Sequence, residues 1–111
     1  MAAHEKKRFA ERVDYITTPG YLEGGTARER YHFVGGGPSA IITTLGILRP
    51  EPVTKEFMLD SYFSFSGIEE MKQQTGWNLK IFQGAKAVPE PSPRELKILR
   101  TIDVTGMLRK K

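Results

Sequence analysis

Between Tyr21 and Pro38 lie the residues whose types and spacing could do chemistry. Glu23, in Tyr21-Leu22-Glu23-Gly24-Gly25, is a carboxylate inside a glycine-rich loop, where the neighbouring glycines would let a bulky substrate approach. As a nucleophile it would need preorganised N–H donors for an oxyanion, and no such partner is visible in the sequence, so the plainer reading is a solvated loop acid. Arg28, Glu29 and Arg30 offer planar guanidinium forks for a carboxylate or phosphate, or else a surface ion-pair cluster. Gly35-Gly36-Gly37-Pro38 invites a phosphate-loop reading. It leads into a strand rather than a helix and lacks a following Lys-Ser or Lys-Thr, which favours a turn that carries the loop to the sheet. The candidate contact residues read at this point are Tyr21, Glu23, Arg28 and Glu29.

No catalytic residue and no metal ligand is assigned. His4 and His32 stand apart with no metal-ligand spacing, and Ser39 and Ser66 have no local His/Asp partner. The absence of cysteine excludes disulfides, thiolate metal sites and thiol nucleophiles, and is compatible with the cytoplasm.

The elements that must position these residues are read as follows. At 111 residues, 39% hydrophobic, the chain is expected to be a single domain over residues 1–111 with one core. Residues 3–12 read as a short exposed helix and Val13 to Thr17 as a strand, stopped by Thr18-Pro19-Gly20. Ser39 to Leu48 is nearly continuous in apolar and β-branched residues, the pattern of a strand covered on both faces. After the turn at Arg49-Pro50-Glu51-Pro52, an alternating run from Glu56 to Phe65 completes an antiparallel hairpin. Ser66-Gly67-Ile68-Glu69 matches a capping box, with Ile68 and Met71 on one helical face and Gly76 closing the helix in the left-handed conformation. Trp77 to Phe82 reads as another strand. Ser92-Pro93-Arg94-Glu95 matches a second capping box, opening a helix striped by Leu96, Leu99 and Ile102. The fold class expected is α/β, with an open, mostly parallel sheet containing an antiparallel hairpin.

The formal charge of +4 gathers at the termini, in Lys6-Lys7-Arg8 and Arg109-Lys110-Lys111. Such runs are solvated or attract phosphate-bearing ligands. Neither a signal peptide nor a membrane span is readable, and the aromatics suit a core or an oligomer interface better than a base-stacking platform.

A collinear series of short matches runs through the chain. It comprises Arg8-Phe9, Glu11 to Thr17, Pro19-Gly20-Tyr21, Gly35-Gly36-Gly37-Pro38-Ser39, Ile41-Ile42-Thr43 and Leu45-Gly46. It continues through Gly67, Glu69-Glu70 and Thr75-Gly76 to Glu95-Leu96 and Leu99-Arg100. In this order and spacing the chain resembles the C-terminal half of the catalytic B subunit of glutaconate-type class I CoA-transferases. The resemblance implies an α/β fold with an open sheet, coenzyme A as a substrate rather than a bound cofactor, and CoA transfer between carboxylic acids; it also places Gly35, Gly36, Gly37 and Pro38 near the family's active-site side, which adds them to the candidate contact residues. In that family a glutamate attacks the acyl-CoA thioester, giving an anhydride and then a glutamyl-CoA thioester.

The resemblance places that glutamate in the family's N-terminal half and the Gly-Gly oxyanion loop just before the point matching Met1. Thr44 stands where an aspartate is common, and Phe65-Ser66-Gly67 replaces a His-Pro-Gly turn. It thus implies a chain inactive alone, partnered by A-subunit-like and N-terminal-half chains of a CoA-transferase or by itself, with no membrane and no nucleic-acid role. The alternatives are a small basic binding or oligomerisation module without transferase activity, and a chain cut from a full-length B-type polypeptide.

Overall fold

The computed structural model describes residues 1–109. Lys110 and Lys111 of the C-terminal basic run lie outside the described residues, as does the side chain of Arg109. The elements are α1 (Ala27–Arg30), β1 (Ile41–Ile42), β2 (Gly46–Pro50), β3 (Phe57–Tyr62), α2 (Gly67–Gln73), β4 (Ile81–Ala87) and α3 (Pro93–Ile102), followed by a 3-10 turn at Met107–Arg109. The strands form one open sheet in the order β1-β2-β3-β4.

Strand direction follows connection length. β1–β2 and β2–β3 are joined by short turns and pair antiparallel, while β3 and β4 are joined through α2 and pair parallel. The α/β class, the open sheet and the hairpin stand as expected, but antiparallel pairing dominates because a single connection is long enough for a crossover. The turn between β2 and β3 is built by Glu51, whose carboxylate accepts the N–H groups of Val53 and Thr54.

The single strand expected over Ser39 to Leu48 is broken into β1 and β2 at Thr43. Its hydroxyl oxygen accepts from the N–H groups of Leu45 (3.1 Å) and Gly46 (3.0 Å), while its own N–H reaches the Gly46 carbonyl at 2.9 Å. Threonine thus offers the backbone a local alternative to the ladder, and the chain reverses.

Leu48, Leu59, Met71 and Leu79 form the buried core, with Phe9, Ile41, Leu45, Phe57, Tyr62, Ile68, Trp77 and Ile81 packed against it. Met71 and Ile68 share the inward face of α2, as their spacing predicts.

Other expectations are corrected. Residues 3–12 form a turn rather than a helix, because Ala2 pairs with Thr43 and His4 is buried, which holds the segment against the sheet. Val13, Tyr15 and Ile16 are exposed and form no strand, since no sheet edge among the described residues runs beside them. At Ser66 the capping box is absent: the hydroxyl donates to the carbonyls of Leu45 (2.6 Å) and Phe63 (2.9 Å), tying the start of α2 to the hairpin instead. Gly76 is not left-handed, and its N–H donates to the Phe9 carbonyl at 2.6 Å. The fourth strand begins at Ile81, four residues later than expected, because Leu79 turns into the core first.

The second capping box is present, Ser92 Oγ accepting from Glu95 N–H and Glu95 accepting from Ser92 N–H at 2.7 Å. The Ser92 hydroxyl, 2.7 Å from the Glu95 carboxylate, and then the Ser92 N–H hold that carboxyl below the usual carboxylate range. The helix it starts buries no residue, and Ile102 on its apolar stripe is exposed.

Candidate functional site

The segment from Gly20 to Pro38 is mostly irregular, and its glycine clusters are drawn together by Arg28 on α1. One guanidinium nitrogen donates to the Gly20 carbonyl at 2.6 Å; the other reaches the carbonyls of Val34 (3.1 Å) and Gly35 (3.5 Å). The guanidinium also sits 5.5 Å from the Phe33 ring centroid. Arg28 therefore spends its planar fork on the backbone of both loops and straps them together.

Tyr21 completes the junction. Its hydroxyl donates to the Pro38 carbonyl at 2.6 Å, and its ring lies 6.1 Å from Phe57 of β3 and 5.9 Å from the Lys55 ammonium. Gly37, at φ +81°, accommodates this packing: a Cβ there would lie 2.7 Å from the Tyr21 ring and 3.0 Å from Arg28 Cδ. Tyr21, Arg28, Gly35, Gly37 and Pro38 are thus brought together. Gly36 lies on the same loop facing open space.

The acids are directed elsewhere. Glu23 pairs with Arg30 at 2.6 Å, both exposed, and its carboxyl is held below the usual range first by its own backbone N–H and then by Arg30. It is a solvated, ionised acid on the loop surface. Glu29 is exposed, and its carbonyl accepts from His32 N–H. Replacing Arg28 by alanine is expected to cost about 1–3 kcal/mol, the scale of hydrogen bonds to a charged donor. Amide exchange should accelerate in residues 20–25 and 34–38 while β3 stays protected; an unchanged exchange pattern would remove the strap.

A second polar cluster gave no signal in sequence spacing. The His4 ring is buried, stacked on Phe9 with centroids 4.1 Å apart. Nδ1 lies 3.0 Å from Thr43 Oγ1 and Nε2 2.9 Å from Thr75 Oγ1, whose own hydrogen goes to the Met71 carbonyl at 2.6 Å. In the neutral ring Nε2–H donates to Thr75, and the single Thr43 hydroxyl hydrogen is shared between Nδ1 and the Gly46 carbonyl at 2.9 Å. This cluster pins the N-terminal segment to the hairpin and to the end of α2.

Burial holds the His4 pKa below its ordinary 6.5. The unfolded chain then binds the extra proton first, so stability is full above about pH 6.5 and declines as pH falls below it. Thermal unfolding from pH 8 to pH 5 should show that decline, and His4→Gln should flatten it. A profile unchanged by the substitution would assign the titration elsewhere.

An open cleft of about 640 Å³ lies apart from the loop junction, lined by Phe63, Phe65, Val88, Pro89, Pro91 and Leu96 together with Ser64, Glu90 and Glu95. It contains none of the candidate contact residues. Among the described residues there is no cluster of His, Cys, Asp or Glu able to hold a metal, and no helix is long and apolar enough to cross a membrane.

No family model matches the chain. It is 35% identical over 101 residues to the B subunit of glutaconate CoA-transferase from Acidaminococcus fermentans, covering 90% of this chain and 38% of that protein. The chain is a relative of CoA-transferase B subunits. It is also 33% identical over 97 residues to the B subunit of 3-oxoadipate CoA-transferase from Pseudomonas knackmussii, covering 87% of this chain and 37% of that one. The crystal structure of glutaconate coenzyme A-transferase from Acidaminococcus fermentans superposes with a TM-score of 0.88 at 32% identity, over 98% of this chain and 42% of that chain. The chain thus spans well under half the length of the relatives it matches. The α/β fold read from the sequence is the fold shared with that transferase.

Proposed function

We propose that this chain is the scaffold portion of a CoA-transferase assembly that moves CoA between an acyl-CoA and a carboxylic acid. The observation carrying the reading is similarity over 90% of the chain to a transferase polypeptide of which it spans 38%. In this reading the nucleophilic glutamate and the oxyanion glycine loop belong to the part of a B-type subunit that this chain does not match, joined by an A-subunit-like chain. The chain alone is inactive, and the assembly works in the cytoplasm. Coenzyme A is its substrate, and no resident cofactor takes part.

The geometry supports this division of labour. Thioester attack needs a carboxylate set beside fixed N–H donors in a site that excludes water. Glu23 instead sits exposed in an ion pair with Arg30. What the loop junction offers is shape: Gly35 and Gly36 present bare backbone over which a ligand can lie flat, with Arg28 and Tyr21 holding that surface in place.

The test is transfer from glutaconyl-CoA or 3-oxoadipyl-CoA to a second carboxylic acid. The purified chain should give no turnover. Added to the unmatched remainder of a B-type polypeptide together with its A-type companion, it should restore transfer, with the covalent adduct trapped on the other polypeptide. Turnover by this chain alone, with an adduct on one of its own acids, overturns the reading.

A further inference from the structure

The cleft between the turn at 63–66, the proline-rich segment 88–91 and the start of α3 is lined by charge of one sign. The chain carries +4, yet no lysine or arginine among the described residues lines this space of about 640 Å³, and its charged groups are Glu90 and Glu95. Lys86 belongs to a separate, smaller cleft that shares Val88 and Pro89. Glu90 Oε1 accepts from the Ser64 hydroxyl at 3.1 Å, which ties the proline-rich segment to the turn. Glu95 Oε2 accepts from the Ser92 N–H and hydroxyl, each at 2.7 Å. Neither acid has an ion-pair partner among the described residues, and Glu90 Oε2 and Glu95 Oε1 receive no donor there. The walls are apolar and partly aromatic. Phe63 and Phe65 stack with ring centroids 5.8 Å apart and planes 21° apart, and Phe65 is 76% exposed, which leaves ring surface open. The positive end of α3 gives an anion little here, because Pro93 has no N–H and Ser92 Oγ takes that of Glu95.

We propose that this cleft binds a small organic ammonium ion with an apolar body, of the arylalkyl or quaternary alkyl class. The ammonium lies between the free carboxylate oxygens of Glu90 and Glu95 and an aromatic face, and the body rests on Pro89, Pro91 and Leu96. Two independent features select the sign of the ligand. The carboxylates attract a cation through their charge, and the rings do so through the negative face of their π-systems. The apolar walls select the body, since a hydrated metal ion would gain nothing from proline and phenylalanine. The volume falls within the range of about 300–1,000 Å³ common for small-ligand sites. Coenzyme A and carboxylic acids carry the opposite sign, so this site is distinct from the one the transfer reaction needs and stands whether or not the assembly reading does.

The experiment titrates benzyltrimethylammonium into the full chain and follows the amide resonances of Ser64, Phe65 and Leu96. The expected result is saturable binding with a Kd of about 1 mM or tighter, and at least about tenfold weaker binding of phenylacetate and benzyl alcohol, the anionic and neutral counterparts. Glu90→Gln combined with Glu95→Gln removes both charges and keeps an acceptor for Ser64 and for the capping box; it should weaken binding about tenfold. Phe65→Leu keeps apolar bulk without the ring and should weaken it about fivefold. Thermal unfolding of each variant establishes that it folds, and the ligand comparison on the unsubstituted chain tests the site without any variant. No saturable binding overturns the proposal, as does phenylacetate binding as tightly as the ammonium, or affinity unchanged in the double variant or in Phe65→Leu. The peptide acetyl-Leu-Lys-Leu-amide binding more tightly than benzyltrimethylammonium would assign the cleft to a protein segment and overturn the small-ion assignment.

Discussion

Replacing Leu59 by alanine is expected to remove about half or more of the chain's stability. Leu59 is fully buried in the middle of β3, opposite Leu48 on β2 and Ile81 on β4, and its N–H donates to the Lys80 carbonyl at 2.8 Å. Removing a buried leucine side chain costs about 2–5 kcal/mol, from lost transfer energy and from the cavity left behind. Small domains have total stabilities of about 5–15 kcal/mol, and one whose fully apolar centre is Leu48, Leu59, Met71 and Leu79 belongs near the lower end. The site cannot collapse easily, because the sheet ladder fixes the backbone on both sides of Leu59. A urea titration followed by circular dichroism should show the midpoint fall sharply. Ile102→Ala on α3 is the control: that side chain is exposed, and its loss should stay within about 0.5 kcal/mol. A Leu59→Ala midpoint indistinguishable from the Ile102→Ala midpoint would place the core elsewhere.

What the sequence made legible was whatever a few neighbouring residues decide. The Ser92 to Glu95 capping box needs four positions and nothing beyond them, and it is present as read. The β2–β3 hairpin follows from two apolar runs around a proline-rich turn, and α2 from its Ile68 and Met71 spacing. What failed depends on distant contacts. Ser66 carries capping chemistry in its sequence, yet the Leu45 carbonyl, 21 residues away, takes its hydroxyl. His4 looked isolated because its partners stand 39 and 71 residues along the chain. The N-terminal residues have helix-forming composition, but burying His4 and pairing Ala2 outweigh a propensity worth only tenths of a kcal/mol per residue. In the site, the glycine clusters announced a loop that approaches something. That the something is the Arg28 side chain and the Tyr21 ring, rather than an external anion, is a matter of where two loops meet in space.

Gly46 is where these long-range dependencies converge, and Gly46→Val is expected to prevent folding. Gly46 opens β2 opposite Tyr62, and a Cβ on it would lie 2.5 Å from the Ser61 carbonyl oxygen, 2.9 Å from Tyr62 Cα and 2.8 Å from Met71 Sδ. A methionine sulfur can swing aside, whereas the two β3 backbone atoms cannot move without breaking the ladder. Even alanine should therefore cost about 1–3 kcal/mol or more, as overpacking does, and valine adds two further carbons to the same contact. The damage would not stay local. Displacing the hairpin carries Thr43 away from His4, loosening the N-terminal segment, and carries Leu45 away from the Ser66 hydroxyl that fixes the start of α2. Met71→Ala added to Gly46→Ala relieves only the sulfur contact, so the double variant should be no more stable than Gly46→Ala alone. Gly84→Ala in β4 supplies the contrast: nothing lies within 4 Å of a Cβ there, and the substitution should be neutral or stabilising by up to about 1 kcal/mol. Circular dichroism and thermal unfolding of the four variants test the account, which a folded Gly46→Val with unchanged melting would overturn.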